Sequence, residues 1–303
     1  MATPRRSRLA LRAAAIVGIA LVLSEILLQL AGLIAARGRR AAVPIPPGAV
    51  TILVVGDSHA AGGGAAPDGS LPVHLERMLA ARHPGTTFRV VNAGLSGANS
   101  AWVANRLETN IATYDPAVII VWVGLNDIWN LTETEVWPGG GFGIAVRRML
   151  LHSRLYRLAT VLWHTGALEA DSGWTLQRQA GLRTGSVPEA EVQRGLTFDL
   201  DRMAHMAFRR RLPIVFMLYP VPYPVNRTIG SVAMRLGVPT IQTSLDVARA
   251  RAAGHDGAAI MNLAAGPHPT GLLYRYIAES TLPLVEKLLR ERGIPLTPAG
   301  PSP

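Results

Sequence analysis

The chain contains no cysteine, which removes disulfide frameworks, zinc–thiolate sites and a thiol nucleophile, though it does not choose a compartment. Lysine is nearly missing too, Lys287 being the only one. The formal net charge of +10 therefore rests on arginine, which is scattered and densest at Arg5, Arg6, Arg8 and at Arg37, Arg39, Arg40. No basic stripe is interleaved with aromatic residues, so nucleic acid is not an expected partner. No His-Glu-x-x-His or similar ligand spacing joins His74, His83, His152, His164 and His205. The run Gly62-Gly63-Gly64 is followed by no Gly-Lys-Ser/Thr and reads as a flexible rim, not a phosphate loop. Neither a metal nor a cofactor is expected. Charged residues are scarce, 17% against 49% hydrophobic, which excludes a disordered chain. A length of 303 residues suits one α/β domain behind an N-terminal segment.

That segment is what the composition has in excess. Ala13–Ala36 is an apolar run of 24 residues broken only by Ser24, Glu25 and Gln29. About 20 apolar residues cross a bilayer as a helix, so a single N-terminal membrane anchor is expected. Cleavage as a signal peptide, near Ala35-Ala36 or Ala41-Ala42, is the alternative, although such peptides have apolar cores of only ~7–15 residues. Arg5, Arg6, Arg8 and Arg12 precede the run and three arginines follow it. This leans towards a cytoplasmic N-terminus and a periplasmic, extracytoplasmic domain, with the flanking arginines at anionic headgroups. Glu25 sits mid-span, at a cost on the order of 3 kcal/mol on insertion scales. Gln29 shares its helix face and is able to hydrogen-bond a partner helix. A protonated carboxyl in a lone anchor is the expected state.

The remaining chain reads as a basic tail over 1–12, the anchor over 13–36, an extended linker over 37–50, one domain over 51–292, and a tail over 293–303. Within the domain, strands are expected at Thr51–Val55, Phe88–Asn92, Ala117–Val123, Pro213–Leu218 and Val238–Gln242. Helices are expected at Leu71–Arg82, Ala98–Thr113, about 190–211 and Tyr274–Arg290. Alternating strands and helices argue for an open, mostly parallel sheet covered on both faces. Between about 130 and 188 the alternation breaks; this insert carries Trp129, Trp137 and a helix over Val146–Trp163. It reads as a lid or rim beside the site, the competing reading being a membrane-surface helix.

Four short segments carry chemistry. The first strand runs into Gly56-Asp57-Ser58-His59, the second into Asn92-Ala93-Gly94-Leu95-Ser96-Gly97, and the third into Gly124-Leu125-Asn126-Asp127. The fourth, Gly266-Pro267-His268-Pro269, precedes the last helix. Ligands of open α/β sheets bind at the carboxyl ends of strands. Acyl transfer needs a hydroxyl nucleophile, a base within reach and donors aimed at the developing oxyanion. Ser58 supplies a hydroxyl and a backbone N–H, Gly97 an unobstructed N–H, Asn126 a side-chain amide, and His268 an imidazole. Asp127 reads as a loop-capping carboxylate more readily than as a catalytic acid.

In this order the segments resemble the four blocks of the SGNH hydrolases, also called GDSL esterases. The resemblance covers roughly residues 50–290 and includes Tyr274-Arg-Tyr-Ile-Ala278 in the closing helix. It implies a three-layer flavodoxin-like fold, Ser58 as nucleophile, His268 as base, and Ser58, Gly97 and Asn126 as the oxyanion hole. Its implied substrates are acyl esters or acylated carbohydrates.

Three departures qualify it. The family's aspartate, three residues before the histidine, is Ala265 here. In one serine protease, loss of the equivalent acid lowers turnover about 10⁴-fold. Either another group orients His268 (Asn262, Asp256 and His255 are the nearest in sequence), or the pair works as a slow dyad, or activity is gone. His59 stands where the commoner signature has leucine, as in variants associated with polysaccharide O-acetylation; the plain alternative is that it faces solvent. Leu273 replaces a frequent glycine and concerns packing. The expected function is thus a serine esterase. The alternatives are an envelope polysaccharide O-acyltransferase, which Trp129, Trp137 and Trp174 would favour as sugar-stacking surfaces, and a pseudoenzyme that binds acyl or carbohydrate groups.

Overall fold

Five β-branched, apolar runs pair side by side in the computed structural model, which describes residues 4–39, 44–128, 130–136, 142–159, 189–263 and 267–297. They are β1 (Val50–Gly56), β2 (Phe88–Gly94), β3 (Val118–Trp122), β4 (Ile214–Leu218) and β5 (Thr240–Gln242). Every pairing is parallel and the order is β2-β1-β3-β4-β5. Ile52, Leu53 and Val54 of β1 and Val118, Ile119 and Ile120 of β3 are fully buried. Consecutive buried residues point to opposite faces of a strand, so both faces of the sheet are covered. Burying each such side chain contributes about 1.5–3 kcal/mol.

Two groups of helices provide the cover. Leu71–Arg82 packs on Gly271–Glu291, which also meets Thr243–Ala252. Ser100–Tyr114 packs on Glu189–Arg209, which meets Pro224–Leu236. The order reverses at β1: the chain leaves it towards β2 and then crosses back to β3. In sheets of this kind the crevice at the carboxyl ends of the strands beside that reversal takes the ligand. The flavodoxin-like fold is therefore the one implied by the sequence. A two-residue antiparallel pair, β6 (Met261–Asn262) with β7 (His268–Pro269), sets Asn262 opposite His268.

The chain divides into two compact units: residues 43–138 with 174–303, which hold the sheet, and residues 1–42 with 139–173. In the second unit one helix runs Pro4–Arg39, and its stretch Leu11–Ile34 is long and apolar enough to cross a membrane. The helix thus continues to Arg39, past the expected start of an extended linker. The insert follows as a helix over Phe142–Leu150, a turn at 151–153 and a helical stretch over 154–159. The single helix expected around Val146–Trp163 is broken at 151–153 within its described part, residues 160–163 lying outside the described residues: Ser153 caps the second piece, its Oγ accepting from Tyr156 N at 3.1 Å. Glu25 is likewise not a lone carboxyl. Ser153, Arg154, Leu155 and Gln29 all donate to it. Trp129, Trp137 and Trp174 lie outside the described residues, as do residues 264–266 with Ala265.

Candidate active site

β1 ends at Gly56, and the backbone turns at once into the short helix Ser58–Ala61. Asp57, fully buried, makes that turn by accepting from His59 N at 2.9 Å as an N-cap. Its second oxygen accepts a short hydrogen bond from the Tyr219 hydroxyl. Burial and the neighbouring Asp57 charge push the Tyr219 phenol well above its ordinary pKa. The hydroxyl remains a donor to Asp57 and in turn accepts from Leu125 N at 3.1 Å. The first and third blocks are thereby joined through one tyrosine.

His268, on β7, brings its ring to the serine: Ser58 Oγ and His268 Nε2 lie 2.6 Å apart, across 210 positions of chain. In the tautomer with the imidazole proton on Nδ1, Nε2 accepts from the serine. The glycine run permits this approach. A Cβ on Gly63 would stand 2.9 Å from His268 Cδ2 and 3.0 Å from the Ser58 carbonyl oxygen. One on Gly64 would stand 2.7 Å from His268 Cβ. The run is therefore the floor on which His268 sits, a closer role than the flexible rim expected. Tyr274, at the start of the closing helix, shares its one hydroxyl proton between His59 O at 2.9 Å and Gly63 O at 3.1 Å, tying that helix to the same floor.

The second and third blocks lie on the loops after β2 and β3, on either side of β1. Leu95 N donates to Gly56 O at 3.0 Å. Gly97 adopts φ +78°, a left-handed conformation that favours glycine. Asn126 Nδ2 donates to Ala98 O at 2.9 Å and Asn130 Nδ2 to Gly97 O at 2.7 Å, so the two loops are stitched to each other. Asp127 is a cap, as expected. It accepts from Ser100 N at 2.8 Å and from the Ser100 hydroxyl, at the head of the helix Ser100–Tyr114. Ser100 Oγ also lies 2.7 Å from Asp199. Burial, reinforced by the Asp199 and Asp57 charges, raises Asp127 to about 7; burial raises Asp199 to about 6. One hydroxyl proton cannot serve two carboxylates, so a further proton resides on this pair.

His59 does not face solvent; it is fully buried. Its ring stacks on His268 at 4.7 Å with a 30° interplanar angle. Tyr219 meets it edge-on at 4.8 Å and Trp122 lies tilted at 5.3 Å. Its Nδ1 is 3.5 Å from Asp57 Oδ1, and neither ring nitrogen makes a hydrogen bond among the described residues. Two of the three sequence candidates for orienting His268 have contacts elsewhere: Asp256 caps Ala259 N at 2.7 Å and His255 packs edge-on against Tyr276. The third, Asn262, donates to Gly64 O at 3.2 Å. Among the described residues, no group of three or more His, Cys, Asp or Glu is placed to hold a metal ion.

Tyr219, Ser100 and Asp199 are not among the residues singled out from the sequence. The only local signal was Tyr219 at the end of β4, in the same strand-end position as Ser58.

The model of the GDSL-like lipase/acylhydrolase family matches residues 54–276. Among solved structures, the chain is similar to TesA, with 21% identity, a TM-score of 0.48, and coverage of 79% of this chain and 99% of that one. It is similar to a family 3 carbohydrate esterase from Clostridium thermocellum, at 17% identity and TM-score 0.49, covering 80% and 98%. It is also similar to a catalytic mutant of Axe2, an acetylxylan esterase from Geobacillus stearothermophilus, at 16% identity and TM-score 0.46, covering 84% and 100%. No curated protein matches it. The family match spans all four blocks, and with it the chain belongs to the GDSL-like lipase/acylhydrolase family.

Proposed function

We propose that the protein is a membrane-anchored serine esterase that cleaves ester or O-acyl bonds, O-acetyl groups among them, through an acyl-enzyme on Ser58. The observation that carries this reading is the 2.6 Å contact between Ser58 Oγ and His268 Nε2 at the carboxyl edge of the sheet. Ser58 Oγ attacks the acyl carbonyl while His268 Nε2 takes its proton. The oxyanion is met by the backbone N–H groups of Ser58 and Gly97 and by the side-chain amide of Asn126. Collapse expels the alcohol, which leaves with the proton from His268. Water, giving a proton to His268, then attacks the acyl-enzyme and releases the acid, and Ser58 recovers its hydrogen. Transfer to a sugar hydroxyl would share the first half of this cycle; water is the acceptor favoured here because the family is one of acylhydrolases.

With Ala265 at the usual acid position, His59 helps to orient the base. Its buried ring fixes the plane of His268 by stacking, and its face supports the imidazolium that forms when the serine proton arrives. The Asp57 carboxylate beside Nδ1 keeps that ring electron-rich. A buried histidine with unbonded nitrogens costs on the order of 1–3 kcal/mol, which leucine would avoid, so the ring has a use beyond filling space. The stretch Leu11–Ile34 anchors the chain, with the sheet-bearing unit outside the cytoplasm.

The test is hydrolysis of p-nitrophenyl acetate by the detergent-solubilised chain. Ser58→Ala and His268→Ala should each reduce the rate to the background of buffer. A Ser58→Ala protein as fast as the parent removes Ser58 as nucleophile.

A further inference from the structure

The apolar helix Pro4–Arg39 carries one polar face. Glu25, Gln29 and Gly32 fall at i, i+4 and i+7, hence on one side. They are shielded while Leu23, Ile26, Leu27, Leu30 and Leu33 around them are 49–66% exposed. What shields them is the turn of the insert. Glu25 Oε1 accepts from Arg154 N at 2.9 Å and Gln29 Nε2 at 2.6 Å. Its Oε2 accepts from Ser153 Oγ and Leu155 N, both at 2.8 Å. Gln29 bridges onwards, donating to His152 O at 3.1 Å and accepting from Arg154 Nε at 2.9 Å. Gly32 is the bare position over which the Arg154 guanidinium lies; a Cβ there would fall 1.8 Å from Nη1.

Depth follows from helix geometry. Glu25 is nine residues before Ile34, the end of the apolar stretch, or about 14 Å along a helix rising 1.5 Å per residue. A hydrocarbon core is ~30 Å thick. If the stretch spans it, Glu25 and everything bonded to it lie well inside the leaflet on the Ile34 side. Non-helical backbone is tolerated at that depth only when its polar groups are satisfied within the protein. Much of the turn meets this demand. His152 N donates to Met149 O at 3.1 Å and Ser153 N to Leu150 O at 2.9 Å, which closes the preceding helix. His152 O, Ser153 Oγ and the first two N–H groups of the following helical stretch are taken by Gln29 and Glu25. On both arms apolar side chains remain uncovered: Phe142 is 86% exposed, Met149 67%, Leu150 36% and Leu158 41%. In water such a surface is a liability; against acyl chains it is matched. Arg37, Arg39 and Arg40, just beyond the span, supply positive charge at the level of anionic headgroups.

We propose that residues 142–159 form a re-entrant helical hairpin that enters the bilayer beside the anchor, is latched to it at Glu25 and Gln29, and presents its apolar side chains to lipid acyl chains. The mid-span carboxylate is then the receptor for the hairpin tip and not an uncompensated charge. This inference rests on the anchor reading above and is independent of the chemistry at Ser58.

The absence of cysteine makes the test clean. The full chain carrying a single fluorophore at Met149→Cys is placed in phosphatidylethanolamine–phosphatidylglycerol vesicles. Nitroxide spin labels are attached either at mid-acyl chain or at the headgroup. The expected result is at least threefold stronger quenching by the mid-chain label than by the headgroup label. Stronger headgroup quenching means a helix lying on the surface, and no quenching means a soluble insert; either overturns the hairpin. A probe at Ile19→Cys reports the anchor itself, so its failure to quench would overturn the anchor reading separately. In Glu25→Ala, mid-chain quenching at position 149 should fall by more than half while the Ile19 site is unchanged. Unchanged quenching at 149 would overturn the latch.

Discussion

Ser58 and His268 are both legible in the sequence, because each sits in a short block whose chemistry is local: a hydroxyl at a strand end, an imidazole ahead of the closing helix. The ring that stacks on His268 was not legible, because the contact joins residues 209 positions apart. The His59 reading has a rate consequence. A ring face beneath a forming imidazolium is worth roughly 0.5–2 kcal/mol, or about twofold to thirtyfold in rate. His59→Leu should lower kcat by that factor with KM little changed, and His59→Phe, which keeps a ring, should recover part of the loss. Adding Ala265→Asp to His59→Leu should raise kcat by restoring a carboxylate orienter. Equal kcat in the leucine, phenylalanine and parent proteins would reduce His59 to a packing residue. Asp127 offers a second test. Its carboxyl is raised by burial to about 7, so folding takes up a proton. Stability from that proton is complete below the unfolded value near 4 and is lost as pH rises through about 7. Asp127→Asn cannot titrate, so its melting temperature should decline less between pH 4 and 8 than the parent's. Parallel pH profiles would place the bound proton elsewhere.

At the scale of elements, the strands were readable because buried parallel strands leave continuous apolar runs, and all five lie within two residues of their expected boundaries. The helix Pro224–Leu236 was missed although Val225, Ile229, Val232 and Ala233 form its buried face; Gly230 and the preceding Pro-rich stretch mask the period. The insert was misread as one helix because Leu150, Leu151 and Leu155 keep an apolar rhythm through the break. Only the tertiary partner Glu25 shows why the chain turns there. The glycine run illustrates a different limit: sequence shows that side chains are missing, not what occupies their place. Gly63→Ala puts a methyl 2.9 Å from the His268 ring and 3.0 Å from Ser58 backbone. Displacing a reacting group by about 1 Å can cost on the order of 10² in rate. The expected outcome is a loss of kcat of more than tenfold with little change in melting temperature; full activity would show that the floor yields freely.

The whole molecule joins a family domain over residues 54–276 to an apolar helix long enough to cross a membrane. The parallel sheet supplies the strand ends that carry three of the four blocks, and the turn of the insert bonds to Glu25 and Gln29 of the apolar helix. The claim on which the functional reading turns is that Ser58 is activated by His268 without an aspartate at position 265. It is tested most directly by treating the full-length protein with a fluorophosphonate probe and mapping the adduct by peptide mass. The expected result is a single adduct on Ser58, formed at least a hundredfold more slowly in His268→Ala. An unlabelled Ser58, or labelling just as fast without His268, would contradict it.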